Sequence, residues 1–179
     1  MRSRETREDE RHQRLALSLC ALFALLYTAG IFLPVLLQRG APATDWVRLA
    51  YSPMCHQLPG RSLHVDGVLL AVCSRCTGLY LGGAAGLSLA AWFVVGGRNR
   101  PRGIVFLLAV APTIVDAVLP WIGLRGLTDL PRMLLAIPAG FVAAWFLAVG
   151  IADLFAGGRR RPVVSGPASA GRRVEVLDA

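Results

Sequence analysis

Apolar residues fall in four long blocks along the chain, separated by short polar connectors. The first runs Leu15 to Leu37, interrupted by Pro34. The second runs from about Thr77 to Val95, with an apolar prelude from Val68 to Val72. The third is Ile104 to Gly123 and the fourth Met133 to Phe155. Each block is roughly 20 residues, about 30 Å as a helix, which matches the hydrocarbon thickness of a bilayer. The pattern predicts an all-α fold: an integral membrane bundle of four transmembrane helices. A small-residue pattern, Ala41-Pro42-Ala43, follows the first block. That block is longer than the apolar core of a secretory signal, and a proline sits inside the pattern, so it reads as a retained helix.

Composition supports this division. The 179-residue chain is 55% hydrophobic, with mean hydropathy +0.55, more apolar than an ordinary globular domain. Residues 1–14 form a charged, alternating tail that reads as disordered. Residues 15–156 form the membrane domain. Residues 157–179 form a second tail, rich in Gly, Pro, Ser and Arg, that also reads as disordered.

The net charge is +8, and all 19 basic residues are arginine. They sit between and beyond the apolar blocks, where they meet lipid headgroups and set topology. No basic stripe with interleaved aromatics is present, so nucleic acid is not the expected partner. Arg2, Arg4, Arg7, Arg11 and Arg14 crowd the N-terminal tail. Arg98, Arg100 and Arg102 occupy the second connector, and five more arginines the C-terminal tail. The other two connectors carry fewer: Arg39, Arg48 and Arg61 in one, Arg125 and Arg132 around the other. The positive-inside rule then predicts a multi-pass protein of the cell (inner) membrane with both termini cytoplasmic. The first connector and the entrance to the second helix face outward.

That outer face carries the candidate chemistry. Cys55-His56 lies in the first connector, and Cys73-Ser74-Arg75-Cys76 opens the second helix. A Cys-x-x-Cys pair puts two sulfurs on one helical face, where they chelate a thiophilic metal such as zinc or form a reactive disulfide. Cys55, His56, Cys73 and Cys76 make a candidate metal set, with His64 a further nitrogen. The same thiols also fit a dithiol exchanging electrons with a quinone, or a structural staple in an oxidising compartment. Cys20, mid-span, reads as an inert core thiol. Asp116 falls in the outer half of the third helix, where an acid needs a partner. Arg75 or Arg132 would pair with it, as a structural ion pair or in proton transfer or substrate binding, and Arg61 lies nearby. Cys73, Cys76, Thr77 and Tyr80 follow helical spacing and line one wall. The whole set is read as one polar cluster, with Cys73, Cys76, Asp116, Arg75 and Arg132 as candidate catalytic residues. Gly78, Gly82 and Gly86 form a tandem Gly-x-x-x-Gly ladder for close packing, against the first or third helix or at a homo-oligomer seam.

Cys55-His56-Gln57, Arg61-Ser62 and Cys73-Ser74-Arg75-Cys76-Thr77-Gly78-Leu79-Tyr80-Leu81-Gly82 together resemble an uncharacterised family of small prokaryotic membrane proteins, the domain of unknown function DUF2085. The resemblance covers roughly Leu15 to Phe155. Asp116 and Arg132 fit its helix 3 acid and helix 4 arginine. It implies an integral membrane protein and no established activity. A looser resemblance is to membrane oxidases that pass electrons from thiols to quinone, four-helix bundles with a Cys-x-x-Cys at the outer start of the second helix. Those oxidases carry a second cysteine pair between helices 3 and 4. Gly123 to Pro131 has none, so Cys55 would be the sole shuttle thiol. Transport or scaffolding is the third class; no inverted repeat or filter supports it.

Overall fold

The computed structural model describes residues 2–37, 42–94, 102–124 and 126–155. Arg39, Ala41, Arg98, Arg100, Arg125 and the segment 157–179 lie outside the described residues. The elements in chain order are α1 (Arg2–Gly30), α2 (Leu33–Leu36), α3 (Pro42–Tyr51), β1 (His64–Val65), β2 (Val68–Leu69), α4 (Ser74–Phe93), α5 (Gly103–Val118) and α6 (Asp129–Phe155). Four stretches are long and apolar enough to cross a membrane: Glu10–Gly30, Ser74–Phe93, Gly103–Ile122 and Asp129–Leu154. The protein is therefore an all-α bundle of four membrane-spanning helices.

Several boundaries differ from the sequence reading. α1 reaches back to Arg2, so the charged N-terminal segment continues the helix and is not a disordered tail. The helix stops at Gly30, before Pro34; Pro34 instead sits near the start of the short α2, where its missing N–H costs nothing. α3 lies in a connector where no helix was anticipated. The apolar prelude Val68–Val72 is partly the second strand of a hairpin, with His64 paired to Leu69 and Val65 to Val68. Asp66 (φ 51°) and Gly67 (φ 72°) turn it, the left-handed pair of a type I′ loop.

α4 is the central helix, packed between α1 and α6, while α5 packs mainly on α6 and reaches α4 through the Arg75–Asp116 pair. The α4–α6 seam is built from backbone contact. A Cβ added at Gly78 would lie 2.1 Å from the Met133 carbonyl oxygen, at Gly82 2.0 Å from that of Ile137, and at Gly86 2.5 Å from that of Phe141. Gly140 of α6 approaches the Leu79 carbonyl in return. The glycine ladder thus faces the fourth span of the same chain, not the first or third. All three ladder glycines are buried in that seam.

Two apolar clusters occupy opposite ends of the bundle. One gathers Leu17, Leu87, Val94 and Ala148. The other gathers Ile31, Tyr51, Cys55, Leu70 and Val72 under the first connector. Between them, large side chains such as Phe23, Leu26 and Leu108 stand exposed, as helices facing lipid do.

Candidate functional site

The first connector and the start of α4 bring three sulfurs together. The Sγ atoms of Cys55, Cys73 and Cys76 lie within 4.8 Å of one another, and all three thiols are free. Cys55 is placed by the end of α3: its backbone N–H donates to the Tyr51 carbonyl at 3.1 Å. Gln57 then adopts φ 51°, and its side-chain amide donates to the Arg48 carbonyl at 2.6 Å. This left-handed turn sends Cys55 inward and leaves His56 exposed. Cys73 caps α4 with extended backbone. Its N–H donates to the Cys55 sulfur at 3.2 Å, and its carbonyl accepts from the Thr77 hydroxyl and N–H. The chain reaching Cys73 is pinned by Ala71 N–H donating to the Ile31 carbonyl at 3.2 Å.

The Cys76 thiol donates to the Cys73 sulfur. That hydrogen bond outweighs the opposing effect of burial and lowers the Cys73 pKa from 9.0 to about 5. The shift favours the Cys73 thiolate, the form that binds metals and attacks disulfides.

All three tyrosines of the chain pack beside the sulfurs. Tyr27 and Tyr51 rings are 4.6 Å apart, Tyr27 and Tyr80 5.4 Å, Tyr51 and Tyr80 6.3 Å. The Tyr51 hydroxyl donates to the Tyr27 carbonyl, and burial raises its pKa above 10.0. The Tyr80 hydroxyl reaches the Met54 sulfur at 3.5 Å. Of these neighbours only Tyr80 carries a signal in the sequence, four residues after Cys76. Tyr27 and Tyr51 come from other elements, and nothing in the spacing announces them.

The single polar cluster read from the sequence divides in two. Arg75 leaves α4 on the side away from the sulfurs, as a 100° step per residue requires. Both Arg75 and Arg132 donate to Asp116 Oδ2, each through Nε at 3.1 Å, Arg75 also through Nη2. Oδ1 accepts from the Leu127 N–H at 3.0 Å. Arg132 Nη2 donates to the Leu127 carbonyl at 2.6 Å, and Nη1 lies 3.7 Å from Asp129. The Ser74 hydroxyl sits 2.9 Å from both Asp129 Oδ1 and the Arg61 carbonyl. Asp116 is only 2% exposed. Two guanidiniums facing two carboxylates form a closed, charge-balanced clamp across α4, α5 and α6. Arg61 contributes its backbone, while its side chain, like His64, is exposed. Cys20 is half-buried and borders an apolar groove between α1, α4 and α6.

The family model for a predicted membrane protein (DUF2085) matches residues 55–146. The chain belongs to this family. The matched range takes in the three sulfurs and the clamp residues Arg75, Asp116, Asp129 and Arg132, while Tyr27 and Tyr51 lie outside it. Among similar proteins, an uncharacterised protein of Methanocaldococcus jannaschii is 27% identical over 132 residues, covering 70% of this chain and 85% of the relative. An uncharacterised protein of Methanothermobacter thermautotrophicus is 33% identical over 94 residues, 52% of this chain and 84% of the relative. No solved structure matches this chain.

Proposed function

We propose that this DUF2085 protein is a metal-binding protein of the cell (inner) membrane, with Cys55, Cys73 and Cys76 holding a thiophilic ion such as zinc at the outward end of the bundle. The observation that carries the reading is the trio of free sulfurs within 4.8 Å of one another. Zinc–sulfur bonds of about 2.3 Å in a tetrahedron put sulfurs roughly 3.8 Å apart. No pair in the trio exceeds that spacing by more than about 1 Å. The fourth position falls to water, or to His56 if the exposed imidazole swings inward. Water gives an open centre able to bind or polarise a substrate, and His56 gives a closed structural one.

A second reading is favoured by the adjacent Cys73 and Cys76 thiols, with the pKa of Cys73 lowered by its partner. Cys73 and Cys76 would lose two electrons and their remaining proton on forming an S–S bond, and a quinone would take up the two electrons, that proton and one more from water to become the quinol. Cys55 would carry the disulfide outward by thiol–disulfide exchange, so that an external dithiol is oxidised to its disulfide and the Cys73/Cys76 pair returns to the reduced state.

Elemental mass spectrometry on protein purified anaerobically without chelator separates the two. About one equivalent of zinc, iron or copper per chain is expected, lost in Cys55→Ser, Cys73→Ser and Cys76→Ser. A His56→Ala variant that keeps the metal assigns the fourth position to water. Metal-free protein that takes up no added zinc overturns the metal reading. If its Cys73 and Cys76 are also found oxidised, the dithiol reading takes its place.

A further inference from the structure

A groove of about 800 Å³ runs along the lipid-facing side of the bundle between α1, α4 and α6. Its volume lies in the roughly 300–1,000 Å³ range of small-molecule sites. It begins beside the sulfur trio at Tyr27, Met54 and Tyr80, passes over Gly83 and Gly140, and ends near Leu147. The bundle's geometry creates it: close α4–α6 contact at Gly140 leaves a trough, and α1 walls its other side.

None of the lining residues is charged. A phosphate or ammonium headgroup would find no counter-charge there, so the lining selects against ordinary phospholipid heads. The end beside the sulfurs is the polar one. The Tyr80 hydroxyl is shared there between the Tyr27 side chain and a thioether, Met54 Sδ, at 3.5 Å; thioether sulfur is a weak acceptor. A carbonyl or hydroxyl oxygen would serve it better. The Thr28 hydroxyl is already engaged by the Tyr80 carbonyl. The remaining length is apolar throughout, and a molecule dissolved in the bilayer can enter sideways.

We infer that the groove binds a membrane-soluble lipid with a small, uncharged, oxygen-bearing head and a long apolar tail. The head meets Tyr80 and the tail lies over Gly83. The inference needs only the membrane bundle and is independent of metal at the sulfurs.

The test uses the full chain in phosphatidylcholine nanodiscs with a diazirine-tailed benzoquinone. All its ring positions are substituted, so thiols do not add to it. A phosphatidylcholine bearing the same photoreactive tail is the comparison. The quinone probe is expected to label the 79–87 and 140–147 segments saturably, at least fivefold above the phospholipid probe. A Cβ at Gly83 meets nothing within 4 Å, so Gly83→Leu fills the trough without disturbing the fold; it should cut labelling at least fivefold. Tyr80→Phe should raise the half-saturating concentration about threefold or more. An unlabelled long-chain prenol that competes as well as unlabelled quinone supports the site with hydroxyl heads among its ligands. Equal labelling by the phospholipid probe, labelling spread evenly onto the lipid face of α5, or no response to Gly83→Leu overturns the proposal. Zinc content measured on the same samples keeps this outcome separate from that of the metal reading.

Discussion

At the scale of single residues, α4 keeps its two chemistries apart by angle. Cys73, Cys76 and Tyr80 fall within about 60° of one another on the helical wheel, and Arg75 lies on the far side. The wheel was readable from the sequence, as was the need of Asp116 for an arginine. That both arginines converge on one carboxylate was not, because α4 and α6 meet α5 only in the folded bundle. The clamp carries a clear expectation. Asp116→Asn leaves two guanidiniums facing a neutral amide at a site 2% exposed, and breaking a buried pair in this way costs about 3–5 kcal/mol. Denaturant unfolding in detergent should show that loss. Arg132→Gln should cost more than Arg75→Gln, since the Arg132 side chain is 10% exposed and that of Arg75 25%. Equal, near-zero effects would mean that the three side chains are solvated and make no clamp. None of the three variants should alter metal content, because the sulfurs stand on the other face of α4.

At the scale of elements, the seam of α4 with α6 sets the geometry of everything above it. Each ladder glycine aims a Cα–H at an α6 carbonyl, a weak hydrogen bond that only a side-chain-free residue permits. Gly78→Ala or Gly82→Ala must push the helices apart, since the new Cβ would meet backbone oxygen at 2.1 or 2.0 Å. Gly83→Ala, one residue along, meets open space and should be neutral or stabilising by up to about 1 kcal/mol. Unfolding midpoints for the three variants check this; similar values would show that the seam is not the tight one described. The ladder announced close packing but not its partner, because every apolar span offers a face that fits the first criterion. The four spans were legible because blocks of about 20 apolar residues have one physical solution in a bilayer. The first connector was harder to read. Asp66-Gly67 is a type I′ signal in plain view, yet its flanks continue into an apolar run that hydropathy alone assigns to the next helix. α3 is short and amphipathic, with Trp46 and Leu49 exposed and Tyr51 buried, a pattern weaker than any span. Those two small elements deliver Cys55 to the α4 start, so the sulfur trio was legible as a set of residues and not as a geometry.

At the scale of the molecule, the end of α1, the start of α4, the end of α5 and the start of α6 share one end of the bundle, with the sulfur trio, the clamp and the head of the groove. The alternation of four antiparallel spans puts the start of the first span and the end of α6 at the other end, whichever way the protein inserts. Direction is a matter of charge. Arginines crowd the N-terminal segment, the second connector and the C-terminal segment, and are sparser in the first and third connectors; translocating arginine-rich short segments is disfavoured. Both termini are therefore expected in the cytoplasm. Reporter fusions check it: a fluorescent protein that matures only inside should report from either terminus, and an alkaline phosphatase active only outside should report from a truncation in the first connector. The reverse pattern would place the free thiols in the reducing cytoplasm. A cytoplasmic trio would still bind zinc, but the disulfide relay would lose its oxidising compartment. Replacing Arg98, Arg100 and Arg102 together by uncharged residues lowers the bias, and a fraction of inverted chains is the expected result. If that substitution leaves orientation wholly unchanged, the arginines of the N-terminal segment alone set it, as the first helix usually does.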